Sequence, residues 1–387
     1  MRLSQRMARL GTETAFEVLV RARALEAKGK SVVHLEIGEP DFDTPAHICD
    51  AAVAALASGA THYGPSAGLP ELRAAVAEDS TRRRGVRATP EMVVVTPGGK
   101  PIMFFAILAL VDEGDEVLYP NPGFPIYESM IRYIGGTPVP VRLLEEKGFE
   151  LDVDQLCGRV SNKTRLIILN YPHNPTGGTI PESGLRAIAA AAAKFGVPVL
   201  SDEIYARLLY AGQHTSIAAM PGMEPLAMIL DGFSKTYAMT GWRLGYGIMP
   251  APMAQAIAKL QTNATSCTAT FSQLAAVEAL RGDQSSVDRM VAEFQRRRDV
   301  IVNGLRAIPG FECVRPKGAF YVFPNITGTG FSARALADRL LDEAGVACLS
   351  GTAFGEFGEG HLRFSYATSM ENIDEALKRI KAMVTDA

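Results

Sequence analysis

The sequence predicts an α/β protein with a large domain, in which a mostly parallel sheet is covered by helices on both faces, and a smaller α+β domain built from both chain ends. Two observations support this fold class. From residue 92 onward, short β-branched runs alternate with helical patterns of ten or more residues, which is typical of a parallel sheet. The 387 residues are also 47% hydrophobic, enough to bury the core of more than one domain.

The first ninety residues predict helices and one strand. Gly29 follows a helical pattern and is a residue type that commonly ends helices. Thr44 and Pro45 predict a helix start, with Thr44 as the capping residue. The predicted elements are helices over about 14–28, 45–57 and 69–84 and a strand over 32–37.

The middle of the chain repeats a unit of strand, glycine- or proline-containing turn, and helix. This regularity predicts that successive strands lie side by side and that their carboxyl ends share one edge of the sheet. Predicted strands cover residues 93–95, 116–119, 139–142, 165–169, 197–200, 226–230 and 244–249. Predicted helices cover residues 100–111, the stretch from NPGFP to about 133, and 182–195.

The pattern changes after about residue 281, where a long charged helix is expected over 287–306. Its run Arg296-Arg297-Arg298 is interpreted as a solvated helix face rather than a nucleic-acid patch. Further strands are predicted at 319–323, 347–349 and 361–366, with helices at 333–341 and from 370. The expected organisation is an N-terminal segment and part of the small domain (1–46), a large domain (47–285) and a small C-terminal domain (286–387).

Composition argues against several classes of function. A net charge of -3 and a pI near 6.1 give no attraction to nucleic acid. Five scattered cysteines without CxxC spacing predict reduced thiols and a cytoplasmic location. The histidines form no metal-binding spacing, so no metal site is expected. The longest apolar run, residues 102–111, is too short to span a bilayer, and no secretion signal is expected.

The loop between the strands predicted at 226–230 and 244–249 carries Ser234, Lys235 and Arg243. In open α/β sheets, ligands bind at the carboxyl ends of the strands, which is where this loop begins. Lysine forms Schiff bases when its amine is desolvated, and the planar arginine side chain suits a phosphate. An isolated Ser-Lys pair is more often an ordinary solvated turn, so the argument depends on the neighbouring loops.

Other predicted strand ends carry complementary groups. Gly99 and Lys100 open a helix whose backbone N–H groups can hold a phosphate. Asp202 ends a buried strand and is either a buried carboxylate that needs a partner or a helix cap. Arg363 lies within an apolar strand. An amine, a carboxylate, phosphate donors and a second arginine together indicate pyridoxal 5′-phosphate (PLP), which needs each of them.

Eight motifs, spread over nearly the whole chain and in order, then resemble the class I (fold type I) PLP-dependent aminotransferases. They are GEPDF (38–42), HYGPSAG (62–68), NPGFPIY (121–127), NYPHNPTG (170–177), SDEIY (201–205), SKTYAMTGWRLGY (234–246), GAFYVF (318–323) and HLRFSYATS (361–369). Lys100, which follows the double glycine, resembles the lysine that a bacterial aspartate aminotransferase subgroup carries at this position.

The resemblance implies a role for each matching residue. Lys235 would hold the cofactor as a Schiff base and shuttle the proton of the substrate. Asp202 would pair with the pyridine nitrogen of the cofactor, and Tyr205 and Asn174 would bind its phenolic oxygen. Further implied contacts are Phe124 stacked on the ring, Ser234, Arg243, Gly99 and Lys100 on the phosphate, Tyr63 on the phosphate from the partner of a homodimer, and Arg363, Gly38 and Asn174 on the substrate.

The substrates are expected to be an amino acid, with aspartate favoured, and a 2-oxo acid such as 2-oxoglutarate. Residues 263–273 lack the arginine that one subgroup uses for a distal carboxylate, whereas Lys100 matches the subgroup that accepts aspartate. Against this, Glu13 lies in the segment that borders the pocket in the family and is expected to repel an acidic side chain. The alternative donors are neutral or aromatic amino acids.

Two other classes of protein share parts of this pattern. A PLP-dependent C–S β-lyase, or an enzyme that forms a cyclopropane amino acid, would use the same lysine for its first steps. An aminotransferase-like sensor in a transcription regulator would carry an additional DNA-binding domain ahead of the fold. Because the fold is expected to begin within about the first fifteen residues, the enzyme interpretation is favoured.

Overall fold

A mostly parallel sheet of eight strands forms the centre of the computed structural model, which describes residues 1–385. The strands of the chain are β1 (Val33–His34), β2 (Val93–Thr96), β3 (Glu116–Asn121), β4 (Thr137–Leu144), β5 (Glu150–Leu151), β6 (Thr164–Asn170), β7 (Val199–Asp202), β8 (Ala227–Gly232), β9 (Gly245–Ile248), β10 (Tyr321–Val322), β11 (Val346–Ala347), β12 (Leu349–Ser350) and β13 (Leu362–Ser365). The large sheet has the order β2-β9-β8-β7-β6-β3-β4-β5. Strands β8, β7, β6, β3 and β4 run parallel, whereas β9 is antiparallel to β8 and β2, and β5 to β4. The predicted fold class is confirmed.

Most of the predicted helices are present with boundaries shifted by a few residues. The α-helices are α1 (Thr14–Glu26), α2 (Ala46–Ala57), α3 (Pro70–Arg84), α4 (Lys100–Leu110), α5 (Ile126–Ile134), α6 (Val153–Arg159), α7 (Glu182–Phe195), α8 (Ala251–Thr265), α9 (Thr270–Arg281), α10 (Ser285–Arg306), α11 (Ala333–Asp342) and α12 (Met370–Thr385). Short 3-10 turns cover Gln5–Arg9, Pro90–Met92, Glu145–Lys147, Ile217–Ala219, Thr327–Thr329, Gly351–Phe354 and Glu356–Gly358. The predicted cap at Thr44 is wrong. Its hydroxyl donates to the carbonyl of Ala238 (2.7 Å), and Pro45 is the N-cap of α2.

The sheet is covered on both faces, as the apolar runs predict. In β6, Leu166 and Ile168 belong to one core cluster and Ile167 and Leu169 to another. Successive side chains of a strand point to opposite faces, so these two clusters lie on opposite sides of the sheet. All four side chains are buried, which explains why the run is continuously apolar rather than alternating.

The parallel strands end together at one edge, where polar residues replace the apolar ones. Asn170, the last residue of β6, pairs in register with Asp202, the last residue of β7. Asp202 in turn pairs with Leu230 of β8, one residue before Asp231. The register therefore places the polar ends of three neighbouring strands side by side, at the edge where open α/β sheets bind ligands.

Two small sheets combine residues from early and late in the chain. Strand β1 pairs in parallel with β11, and β10, β13 and β12 form an antiparallel sheet. The backbone N–H of Ser365 also donates to the carbonyl of Leu35 (2.7 Å), which ties β13 to the strand-like segment after β1. Residues 33–38 and 346–366 are consequently held in one unit beside the large sheet.

The interpretation of Arg296-Arg297-Arg298 as a solvated face is wrong for two of the three residues. Arg297 and Arg298 are buried on α10. The guanidinium of Arg297 lies 5.1 Å from the ring of Phe42 and pairs with Asp41, and that of Arg298 lies 4.7 Å from the ring of Tyr210. Stacking on aromatic rings lets an arginine replace an apolar side chain at a helix–core contact.

Candidate active site

A cavity of about 510 Å³ opens where the sheet edge meets the two small sheets. Every predicted site residue except Tyr63 lines it: Gly38, Gly99, Lys100, Phe124, Asn174, Asp202, Tyr205, Ser234, Lys235, Arg243 and Arg363. Tyr63 lies elsewhere on the surface with 89% of its side chain exposed. The fold thus brings together residues from seven separate segments of the chain. Their roles toward a cofactor and a substrate stay predictions at this point.

Lys235 lies in the loop after β8 with its amine at the cavity. The Nζ atom donates a hydrogen bond to the backbone carbonyl of Gly38 (2.6 Å). Burial lowers the pKa of Lys235 to about 8, against the opposing negative charges of Glu39 and Glu13. A much larger fraction of this amine is therefore neutral near pH 7 than in an exposed lysine, and the neutral amine is the nucleophilic form.

Asp202 has a buried carboxylate with two neutral donors. The hydroxyl of Tyr127 donates to Oδ2 (2.6 Å), and the backbone N–H of Ile204 donates to Oδ1 (3.2 Å). Burial raises the pKa of Asp202 to about 6, and the bond from Tyr127 opposes this shift. A turn rather than a helix follows it, so the helix-cap alternative is wrong.

Two neighbouring acids at the same sheet edge are already neutralised. Arg84 donates to Glu203 (2.7 Å) and also pairs with Asp231, and all three side chains are buried. Among residues 1–385, Asp202 makes no ion pair, although its neighbours do. Burying a charged carboxylate without a cationic partner costs free energy, and a positively charged ligand group bound beside it would offset that cost. Asp202 therefore has the chemistry expected of a partner for a cationic ring nitrogen.

The beginning of α4 and the loop after β8 form an anion cradle. Gly98 has a φ of +88°, and a Cβ on it would collide with the guanidinium of Arg243, so the close approach requires glycine. Arg243 itself has a φ of +52°, an uncommon conformation for a non-glycine residue. The cradle offers the hydroxyl of Ser234, the guanidinium of Arg243 and the N-terminal end of a helix at Gly99, all groups that bind phosphate.

Arg363 lies buried on the opposite side of the cavity, in β13. One guanidinium nitrogen donates to Oδ1 of Asn174 (3.2 Å) and another to the carbonyl of Glu36. Its Nε has no hydrogen-bond partner within residues 1–385. The guanidinium also lies 4.6 Å from the ring centroid of Tyr321, which fixes its plane. A buried arginine with a free donor is suited to a ligand carboxylate.

Tyr205 and Gly38 are positioned by a tyrosine that the sequence did not identify. The hydroxyl groups of Tyr205 and Tyr321 are hydrogen-bonded (2.8 Å). A Cβ on Gly38 would overlap the phenol of Tyr321, so only glycine allows the backbone to pass this close. The signal for Tyr321 was its place in the motif GAFYVF, and Tyr127 is likewise the last residue of the motif NPGFPIY.

Lys100 and Glu13 form an ion pair at the edge of the cavity. The Lys100 side chain is 50% exposed and that of Glu13 is 19% exposed. The Nζ of Lys100 also lies 5.5 Å from the ring centroid of Phe124. Glu13 thus borders the cavity, as the resemblance implied, and its carboxylate is paired with the lysine that is expected to attract an acidic substrate.

This donor set fits PLP. The cavity supplies an amine at Lys235, a carboxylate without a cation at Asp202 and a glycine-lined anion cradle at Gly98 and Arg243, which are the three features the cofactor requires. Within residues 1–385, no group of three or more histidine, cysteine, aspartate or glutamate side chains is arranged to hold a metal ion. In the same range, no helix is both long and apolar enough to cross a bilayer.

The chain is similar to known proteins in both sequence and fold. The family "Aminotransferase class I and II" matches residues 30–380. An aspartate aminotransferase of Pyrococcus horikoshii is 42% identical over 92% of this chain and 91% of its own, and an aromatic-amino-acid aminotransferase of Thermococcus litoralis is 38% identical over 100% and 99%. A solved aspartate aminotransferase of Thermus thermophilus with maleate has a TM-score of 0.95 and 40% identity, covering 99% of this chain and 100% of that one.

Proposed function

The chain belongs to the class I and II aminotransferases, which makes it a PLP-dependent transferase, and we propose that aspartate is its preferred amino donor and a 2-oxo acid such as 2-oxoglutarate its acceptor. The position of Lys100 carries this proposal. It is a half-exposed lysine at the edge of the cavity that also contains Lys235 and Arg363. Arg363 can take the α-carboxylate of a substrate, and Lys100 then remains for a distal carboxylate.

In the proposed mechanism, Lys235 is both nucleophile and base. Its lowered pKa makes the neutral amine available to attack a carbonyl carbon, and the carbonyl of Gly38 orients Nζ. Once the amino group of the substrate has displaced it, the same amine is free again and would remove the proton from the substrate α-carbon. PLP, when bound, supplies the electron sink that stabilises the negative charge left at that carbon.

The remaining residues would hold the cofactor in place. Asp202, oriented by Tyr127, would face the ring nitrogen, and Phe124 would cover one face of the ring. Tyr205 and Asn174 would offer hydrogen bonds to the phenolic oxygen. The phosphate would lie in the cradle of Ser234, Arg243, Gly99 and the backbone of Lys100.

The substrate would be oriented by three groups. Arg363 would bind the α-carboxylate with its guanidinium group. Asn174 is already hydrogen-bonded to Arg363 and would share that carboxylate, and the backbone of Gly38 borders the same space. Rigid, buried donors reduce the entropy lost when a small substrate is fixed in reactive geometry.

The preference for aspartate is tested by replacing Lys100. We expect wild-type enzyme, assayed with twenty amino acids and 2-oxoglutarate, to favour aspartate. Lys100→Met should lower kcat/KM for aspartate roughly ten- to a hundredfold, since a charge-assisted hydrogen bond contributes ~1.5–3 kcal/mol, and should spare alanine and phenylalanine. Lys194→Met is the matched control, because Lys194 also lies over a phenylalanine ring (5.3 Å) but outside the cavity.

Two outcomes would contradict this assignment. If Lys100 instead serves the cofactor phosphate, Lys100→Met weakens cofactor binding and slows every substrate alike. If the wild-type enzyme uses aspartate poorly, the proposal changes to a neutral or aromatic amino acid as the amino donor. The matched relatives are described as aminotransferases, which favours amino transfer over β-elimination. Release of ammonia and pyruvate from cystathionine would reverse that preference.

We also propose a homodimer in which Tyr63 reaches the partner's cofactor phosphate. Tyr63 is 89% exposed, and Val53 and Leu56 of the nearby helix α2 expose 64% and 45% of their side chains, which suits a covered surface. Mixed dimers of Lys235→Ala and Tyr63→Ala chains test this. One of their two sites would contain both wild-type residues, so activity should return on mixing. No recovery in a confirmed mixed dimer would contradict the shared site.

The proposed domain division is 1–46, 47–285 and 286–387. The pairing of β1 with β11 supports grouping the first segment with the last, and the large sheet, from β2 to β9, falls entirely within the middle range. A cytoplasmic location remains part of the proposal and is supported by five cysteines that are all free thiols. Fractionation of cells that express the tagged chain would test the location.

A further inference from the structure

The ion pair between Glu13 and Lys100 joins two distant elements across the edge of the cavity. Glu13 is the N-cap residue of α1, and Lys100 is the first residue of α4. Both line the cavity. In the proposed function, Lys100 binds the distal carboxylate of aspartate, and the inference rests on that role. We propose that Glu13 is a displaceable counter-ion that competes with this carboxylate for Lys100. Glu13 would thereby set the preference for dicarboxylate over monocarboxylate ligands.

The charge of Glu13 acts on the reactive part of the cavity as well as on Lys100. Its negative charge opposes the lowering of the pKa that burial imposes on Lys235 and on Arg363. These two side chains are the ones proposed to meet the substrate amine site and the α-carboxylate. An incoming dicarboxylate therefore meets a Lys100 that already has the Glu13 carboxylate as its partner, and the two anions compete for the same cation.

The main chain near Glu13 is held without help from its side chain. The backbone N–H of Gly11 donates to Oγ of Ser129 (2.9 Å), and that hydroxyl donates to the carbonyl of Gly11 (3.1 Å). Ser129 belongs to α5, so the segment before Glu13 is fixed to the large sheet's helical layer by a pair of hydrogen bonds. The Glu13 carboxylate can consequently leave Lys100 by side-chain rotation, without detachment of the segment.

The pair is exposed enough to be exchanged at low cost. The Lys100 side chain is 50% exposed and that of Glu13 is 19% exposed, and an ion pair with one such exposed member contributes little net stability because water solvates the separated charge well. A dicarboxylate that replaces Glu13 restores a partner to Lys100 while Glu13 turns toward solvent. A monocarboxylate offers no second anion, and Glu13 then stays on Lys100, so no cation is left unpaired beside an apolar ligand group. The same cavity thus admits both kinds of ligand. Lys100 pairs with the ligand when a dicarboxylate is bound, and with Glu13 when a monocarboxylate is bound.

Binding of unreactive acids to the PLP-loaded enzyme tests this inference without turnover. Maleate serves as the dicarboxylate and 3-phenylpropionate as the monocarboxylate, with dissociation constants measured by isothermal titration calorimetry. In Glu13→Gln, maleate should bind more tightly and 3-phenylpropionate no more tightly than in wild type. The ratio of the two dissociation constants should shift toward maleate by up to roughly fivefold, the scale of a partly exposed ion pair.

Glu17→Gln is the matched control, since Glu17 lies exposed in the first turn of the same helix and does not line the cavity. It should leave both dissociation constants unchanged. A purely structural role of Glu13 would weaken both ligands together, so an unchanged ratio, or parallel changes, overturns the inference while aspartate specificity stands. If Lys100→Met leaves maleate binding unchanged, the role of Lys100 in the proposed function fails first, and the inference fails with it.

Discussion

The hydroxyl of Tyr127 donates a 2.6 Å hydrogen bond to Oδ2 of Asp202, and both side chains are buried. Tyr127 is the second residue of α5, and its ring meets that of Phe124 edge to face at 5.5 Å. One residue thus contacts both groups proposed for the cofactor ring, the carboxylate at its nitrogen and the aromatic side chain on its face. Tyr127 is a positioning residue, because it acts through its two neighbours.

Replacing Tyr127 by phenylalanine should weaken cofactor binding. The variant keeps the ring contact with Phe124 and loses one hydrogen bond to a carboxylate, a change worth ~1.5–3 kcal/mol. We expect the dissociation constant of PLP to rise about tenfold or more in spectrophotometric titrations. Tyr119→Phe loses a similar bond, to Glu128 at 2.7 Å, outside the cavity. It should reduce stability alone, and an equal loss of PLP affinity in both variants would contradict the assignment.

Lys235→Ala should abolish covalent attachment of the cofactor. Wild type should show the absorbance of a lysine-linked cofactor, and borohydride reduction should fix the label to the peptide that contains Lys235. The variant should show neither signal, and its turnover should fall by several orders of magnitude. Lys259→Ala, on the exposed side of α8, should behave as wild type. A labelled peptide elsewhere in the chain would show that a different lysine binds the cofactor.

Asp202→Asn should stabilise the cofactor-free protein at neutral pH. The folded-state pKa of about 6 lies above the ordinary value of 3.8, so folding disfavours the charged form. Wild-type stability therefore falls as pH rises from about 4 to 6, by ~3 kcal/mol, and stays reduced at higher pH. The neutral amide avoids this loss, so the gain of the variant should be present at pH 7 and absent below pH 4.

Chemical denaturation of cofactor-free wild type and Asp202→Asn at pH 4 and pH 7 measures that difference. The exposed residue Asp50 provides the control, since Asp50→Asn should give no pH-dependent gain. Equal stability of wild type and Asp202→Asn at pH 7 would show that the buried carboxylate is already well compensated. With cofactor bound, the order should reverse, because the charged carboxylate then has its cation.

Arg363→Lys should weaken binding of every carboxylate ligand. Lysine keeps the charge but cannot place two donors in the plane that Tyr321 and Asn174 define. The dissociation constant of maleate should rise roughly ten- to a hundredfold. Arg298→Lys is a fair comparison, because Arg298 is also buried and also stacks on a tyrosine. That variant should lose stability and keep ligand affinity.

The local pattern predicted most of the elements because each depends on neighbouring residues. The helix predicted over 182–195 has the bounds of α7, and the strand predicted over 165–169 lies within β6. Burial of Arg297 and Arg298 was missed, although Phe294, Ile301 and Val302 stand at helical spacing on either side. The spacing indicated that these arginines lie on the core face of the helix. They were nevertheless predicted to be exposed, because charged residues usually are.

The partners of the site residues were less predictable, because they depend on tertiary contacts. Lys235 meets Gly38 across 197 positions of sequence, and Tyr127 meets Asp202 across 75. No periodicity of a single element specifies which side chain reaches which at such distances. Motif resemblance named Lys235, Gly38 and Asp202 but not their contacts, whereas the positions of Tyr127 and Tyr321 and the pairing of Glu13 with Lys100 emerged only from the folded arrangement.

The pairing of β1 with β11 also has a consequence for biosynthesis. Arg363 and Glu36, which contact each other beside this pairing, are 327 positions apart in the chain. A ribosome that adds ~5–20 residues per second delivers them roughly 15–65 s apart. The residues of the large sheet emerge within that interval, while Val33 and Leu35 wait with apolar side chains unpaired. The part of the cavity that contains Arg363 is therefore completed after the large sheet, and we expect a nascent chain that has not yet released β13 to lack the proposed site for the substrate α-carboxylate.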